Sequence, residues 1–95
     1  MEIDIRGNTI YEAESKLDKF IEQGFFSGLH ELSVIHGKGT GTLRKGVHDY
    51  LKSHPYIKSF RLGTYGEGES GVTVVFMKEK NLNKWLNVGK LYSMQ

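Results

Sequence analysis

The chain contains no cysteine, which excludes a disulfide framework, a thiolate metal site and a cysteine nucleophile. It has a single proline, Pro55. No apolar run approaches the ~18 residues that a membrane span needs. The N-terminus also lacks the charged-then-apolar form of a secretory signal. These absences predict a cytoplasmic protein without a membrane partner. What is present is ordinary for a globular domain: 95 residues, 38% of them hydrophobic and 25% charged. A chain of this length buries roughly two-thirds of its unfolded surface, enough for one modest core.

The charge is unevenly distributed. The net value is +2. Between His36 and Arg61, however, Lys38, Arg44, Lys45, Lys52, Lys58 and Arg61 face one acid, Asp49, a local balance of +5. The other seven basic and ten acidic residues leave −3. One electropositive surface beside an acidic remainder favours a polyanionic partner.

Periodicity predicts the order β-α-β-α-β-β. In "EIDIR" Ile3 and Ile5 point one way and Glu2, Asp4 and Arg6 the other, the pattern of a short strand with one covered face. Thr9 followed by Glu12 has the spacing of a capping box at a helix start. Ile10, Ala13, Leu17, Phe20 and Ile21 then recur at helical spacing, with Gly24 and Gly28 marking the exit. "ELSVIHG" reads as a more buried strand. Leu43, Val47, Tyr50 and Leu51 form the stripe of a second helix, which must end near Ser53–His54 because Pro55 disfavours helix before it. Gly46 sits on the flank of that stripe, where close packing is possible. "IKSFRLG" and "GVTVVFMK" are strands joined by the glycine-rich loop "TYGEGES". The expected fold class is α/β (α+β): a two-layer sandwich with a mixed four-stranded sheet. Its last strand runs antiparallel, both helices cover one face and the other face is open. The domain is placed at residues 1–78, and 79–95 form a tail or an added helix through Leu82, Trp85 and Leu86.

The most unusual stretch is "IHGKGTGTLRKG", residues 35–46. It lies between the second strand and the second helix. A helix start offers free N–H groups and about half a positive charge, so anions settle there. Gly37, Gly39 and Gly41 let the backbone approach a ligand and adopt positive φ, and Lys38 and Arg44 add countercharge. The loop is not a Walker A motif. Nor is it a dinucleotide fingerprint: its third glycine comes one position early, and no acid follows about twenty residues on. A nucleotide is therefore not expected here, and the phosphates of a polynucleotide fit best. The alternative is a glycine turn needed only for tight strand–helix packing.

"IDIRG", "IHGKGTGTLRKGVHDYLKSHPYIKSFRLG" and "GEGESGVTVVF", in that order, resemble the Smr (small MutS-related) domain of the type found at the C-terminus of bacterial MutS-II proteins. The likeness covers residues 2–78. It implies a last strand inserted antiparallel between the second and third. It also implies an endonuclease or binding module for nucleic acid, within a parent protein that limits homologous recombination and whose ATPase lies outside this chain. The first family motif maps to Asp4 and Arg6. The loop motif maps to His36, Gly37, Gly39 and Gly41, with Lys38 and Thr40 between.

Phosphodiester cleavage needs a base or a metal, cations for the developing charge and an acid for the leaving oxygen. Asp4, Arg6 and His36 are the catalytic candidates. They are expected close together, with Asp4 and Arg6 on the open face beside His36. Asp4 is also the candidate ligand for a divalent ion, Mg²⁺ or Mn²⁺, although the carboxylate set is thin: Glu67 and Glu69 read as members of a solvated loop. Arg6, Lys38 and Arg44 are placed to hold phosphate oxygens. Lys45, His48 and Lys52 on the second helix extend the loop into a phosphate-tracking edge, and Tyr65 is placed to stack a splayed base. His30, His48 and His54 read as surface residues without ligand spacing. The favoured partner is duplex or branched DNA, nicked with little sequence readout. Two readings stay open beside it: a non-catalytic module that docks on nucleic acid or ribosomes, and an RNA endonuclease.

Overall fold

The structure, a computed structural model, describes residues 1–79. The expected helix through Trp85 lies outside them. The elements run β1 (Glu2–Asp4), α1 (Ile10–Phe26), β2 (Glu31–Ile35), α2 (Thr42–Lys52), β3 (Ile57–Leu62), a 3-10 turn (Glu69–Gly71) and β4 (Val72–Met77). The sheet order is β1-β2-β4-β3: β1 is parallel to β2, and β4 pairs antiparallel with both β2 and β3. The last strand thus sits between the second and third, as the resemblance implied.

Register assigns the two faces. Ile3 lies opposite Val34, Val34 opposite Thr73, and Leu32 opposite Val75. With Ile5 and Met77 this set meets Ala13, Leu17 and Ile21 of α1 and Val47 and Leu51 of α2 in one core. Both helices therefore lie on one face. No helix among the described residues is long and apolar enough to cross a membrane.

Local chemistry explains the boundaries. Thr9 Oγ1 accepts from the Glu12 N–H at 3.2 Å and Glu12 Oε1 accepts from the Thr9 N–H at 2.8 Å, the capping box that the spacing predicts. At the far end of α1 the Leu29 N–H donates to the Gly24 carbonyl and the Gly28 N–H to that of Phe25, with Gly28 at φ 78°, a Schellman closure. Gly24, expected at the exit, is instead helical and buried. A Cβ there would stand 2.8 Å from Leu32 Cδ2, so this glycine lets β2 pack against the helix. Gly46 does the same between helices, since a Cβ would stand 2.4 Å from Ile10 Cδ1.

The second sheet face is less open than expected. Val74, opposite Ser33 and Arg61, is on that face yet 1% exposed. The β3–β4 loop folds back over it: Gly66, Glu67 and Gly68 line a cavity together with Glu2, Ser33, Ile35 and Val72. Arg61 fastens the loop by pairing with Glu67 at 2.8 Å, while its guanidinium lies 5.6 Å from the Phe76 ring centre.

Candidate nucleic-acid site

The parallel pairing of β1 and β2 brings the turn after β1 beside the glycine loop. Between them lies a cleft of ≈ 380 Å³ whose walls include Asn8, Thr9, His36, Gly37, Gly41 and Arg44. Both helices therefore begin at this cleft, but their starts differ. The N-terminus of α1 is closed by its own capping box, whereas Gly41, the N-cap of α2, offers no side-chain cap. Apart from a long contact of 3.4 Å from the Thr42 N–H to Thr40 Oγ1, the first turn of α2 keeps its positive end available to an anion. Arg44 adds a cation with no ion pair among the described residues. Its Nη2 lies 2.8 Å from where a Gly41 Cβ would be.

The three loop glycines have different reasons for being glycine. Gly37 and Gly41 adopt left-handed φ of 81° and 85°, a region costly to residues with a Cβ. Gly39, expected to share that conformation, does not, and a Cβ there would meet nothing within 4 Å. Only the approach of a ligand would oppose a side chain at Gly39.

His36 is 5% exposed and turned to the helix face. Its Nδ1 lies 3.0 Å from the Gly37 carbonyl oxygen. Its Nε2 lies 2.8 Å from Thr73 Oγ1, and that hydroxyl is in turn 2.7 Å from His48 Nε2. Burial, then the Arg44 charge, pushes the His36 pKa below the ordinary 6.5, against the Gly37 hydrogen bond. Burial first, then His36, Arg44 and Lys52, lowers that of His48. His48 is thus not on a free phosphate-tracking edge: its ring is packed 4.9 Å from Phe60 with Nε2 turned inward. His54, also expected at the surface, has a side chain only 7% exposed and lies 3.5 Å from Asp18.

Asp4 and Arg6 lie on the opposite face, because Ile3 and Ile5 between and beside them are drawn into the core. The Arg6 guanidinium grips the carboxylate, with Nη2 donating to Oδ2 at 2.6 Å and Nε to Oδ1 at 3.0 Å. The Arg6 backbone N–H donates to Oδ1 as well. These hydrogen bonds hold the Asp4 pKa at about 2. The expected cluster of Asp4, Arg6 and His36 is therefore only half assembled. The Arg6 stem passes the loop, its Cγ 3.4 Å from the position of a Gly37 Cβ, but the carboxylate and the imidazole are separated by the sheet.

The other candidates scatter around this edge. Lys38 reaches Glu69 at 3.1 Å, so part of its countercharge is already matched. Glu67 and Glu69 are paired rather than simply solvated. Lys45 is exposed on α2 and Tyr65 is 94% exposed on the β3–β4 loop. No group of three or more His, Asp or Glu side chains among the described residues is arranged to hold a metal ion. The two Asp4 oxygens already accept from Arg6, so the residues do not form a divalent site of their own.

Two contributors were missed from sequence. Gly71 accepts both the His36 and the Gly37 N–H, at 3.1 and 2.9 Å, and a Cβ there would stand 3.3 Å from Lys38 Cγ. Thr73 was signalled by alternation: it shares a face with Val75 and Met77, a polar residue on an apolar stripe.

Comparison with known proteins agrees with this geometry. The family model described as the Smr domain matches residues 3–78. A protein named Endonuclease MutS2 from Acetivibrio thermocellus is 56% identical over 77 residues, covering 81% of this chain and 10% of the relative. Its namesake in Clostridium tetani is 54% identical over 77 residues, with the same coverage. The chain thus spans about a tenth of the length of the curated relatives it matches. The crystal structure of the Smr domain of Thermus thermophilus MutS2 aligns with a TM-score of 0.78 at 40% identity, covering 81% of this chain and 96% of that one. YdaL, a stand-alone small MutS-related protein from Escherichia coli, aligns with a TM-score of 0.77 at 21% identity over 82% of this chain and 64% of its own, a likeness of fold alone. With its loop, its sheet order and its sequence in agreement, this chain belongs to the Smr domain family.

Proposed function

We propose that this domain is an endonuclease module that nicks DNA, duplex or branched, within a larger MutS2-type protein carrying its ATPase elsewhere. The relatives named Endonuclease MutS2 support the activity. The observation that carries the reading is a buried imidazole on the wall of a cleft that also holds an uncapped helix start and an arginine with no ion pair among the described residues. A backbone phosphate in the cleft would meet the N–H groups of α2 and Arg44, both able to stabilise charge developing on its oxygens. His36 would transfer the proton to the leaving oxygen. A carboxylate with a pKa of about 2 is a weak base, so Asp4 acts here through Arg6, fixing the guanidinium whose stem borders Gly37. No step runs through a divalent ion.

The test is incubation of the domain with supercoiled plasmid, a branched duplex and a structured RNA, with and without Mg²⁺ or Mn²⁺. Nicking should vanish in His36→Ala and fall in Asp4→Ala, with both variants folded. Undiminished nicking by His36→Ala would remove the assignment. The separation of Asp4 from His36 favours one second reading, a module that binds DNA, RNA or ribosomes without cutting. Salt-dependent binding with every substrate intact would establish it.

A further inference from the structure

A single carbonyl determines the direction of every hydrogen bond between His36 and His48. The Gly37 oxygen can only accept, so His36 Nδ1 must carry the proton it shares at 3.0 Å. In the neutral ring, which burial favours, Nε2 is then a bare acceptor and the Thr73 hydroxyl must donate to it at 2.8 Å. That hydroxyl has one proton. His48 Nε2, 2.7 Å away on the other side, must therefore donate to Thr73 Oγ1. Thr73 is fully buried and His36 nearly so, whereas His48 is partly exposed on α2.

We infer that Thr73 and His48 are positioning residues: the Gly37 carbonyl fixes His36 as its Nδ1–H tautomer, the Thr73 hydroxyl holds the ring with that N–H toward the glycine loop, and His48 connects Nε2 through Thr73 to a histidine that meets solvent. The inference rests on the reading of His36 as the proton-transfer group. When the His36 Nδ1 proton passes to the leaving oxygen, Nε2 takes the Thr73 proton and the Thr73 oxygen takes that of His48 Nε2. His48 Nδ1 then regains one from water, and the attacking water releases one to solvent; the reverse shift, with a proton taken up from water at His36 Nδ1 and one given up at His48 Nδ1, restores both starting tautomers. No charge is left on the relay, so neither imidazole has to become cationic beside Arg44. A free imidazole has no such bias, and without the hydroxyl the buried Nε2 would lack its partner.

Long-range ¹H–¹⁵N spectra of the histidines read the tautomer directly and need no nuclease activity. The wild type should show His36 protonated at Nδ1 and bare at Nε2. Thr73→Ser, which keeps the hydroxyl, should retain that pattern and the Nε2 resonance; Thr73→Val should keep Nδ1 protonated but move the Nε2 resonance downfield, to that of a bare nitrogen without a hydrogen bond. His48→Gln keeps an N–H donor for Thr73 but passes no proton: it should preserve the tautomer while plasmid nicking falls about a hundredfold or more, the usual range for proton-transfer catalysis. Thr73→Val should lose rate similarly and Thr73→Ser should restore it. A Thr73→Val protein whose His36 Nε2 resonance is unchanged, or a His48→Gln protein that nicks at the wild-type rate, overturns the inference. A wild type that nicks nothing removes the nuclease reading instead, and the Nε2 resonance of Thr73→Val against Thr73→Ser still decides whether Thr73 positions His36.

Discussion

Gly39→Ala separates a phosphate cradle from a packing turn, because the structure gives this substitution no folding penalty. The residue does not have positive φ, and an added Cβ meets nothing within 4 Å. Replacing glycine at such a position restricts the unfolded chain and stabilises by about 0.4–1 kcal/mol, a rise of roughly 2–8 °C in Tm for a domain this small. Gly41→Ala is the opposing control. Its φ of 85° costs a side chain about 1–2 kcal/mol, so Tm should fall, although the nearby Arg44 Nη2 can swing aside. If a phosphate rests on the loop backbone, the Gly39 methyl group holds it off. Losing one charge-assisted hydrogen bond, worth about 1.5–3 kcal/mol, weakens binding roughly tenfold or more. The log-salt slope should barely change, since no cation is removed. Thermal melts and DNA titrations at several salt concentrations measure both effects. A Gly39→Ala protein that gains stability and binds DNA as tightly as the wild type refutes the cradle.

Two further outcomes follow from the charges. Lys38 must leave Glu69 to reach a phosphate, whereas Arg44 is unpaired among the described residues. Arg44→Ala should therefore reduce the log-salt slope by about one and Lys38→Ala by less, while Glu69→Gln should tighten binding; equal slopes for the two alanine variants would contradict this. The second outcome concerns acid stability, read as urea midpoints across pH. The folded pKa values of His36 and His48 lie below the ordinary 6.5, so below about pH 6.5 the unfolded chain binds protons that the folded chain refuses. Stability should fall from there towards the depressed folded values, and lie flat above. Asp4 and Glu67, lowered from 3.8 and 4.5 to about 2 by Arg6 and Arg61, add a later loss between about pH 4.5 and 2. Midpoints unchanged from pH 7 to 5 would show that the histidines are not buried neutral.

Much of the fold was legible because it depends on local periodicity and on residues with one conformational role. The capping box of Thr9 and Glu12, the stripe through Val47 and Leu51, and the stop before Pro55 are decided within a few residues of chain. The glycine loop was legible for the same reason, being dense in the features that anion binding needs. Gly39 shows the limit: glycine tells only that a side chain is absent, and the φ values of Gly37 and Gly41 come from how the loop joins strand to helix.

The sequence alone therefore determined the element order, the covered face of each element and the position of the glycine loop, all set by short-range sterics and by period. Only the tertiary structure decided which polar groups meet. Asp4 follows Ile3 by one position and must point away from the core, while His36 follows Val34 by two and must point into it. Alternation therefore puts the sheet between them, despite the adjacent strand ends. Thr73 is 37 positions from His36 and 25 from His48. The antiparallel insertion of β4 beside β2 is what brings its hydroxyl between the two rings, and a pairing set by long-range register leaves no mark in the spacing of residues along the chain.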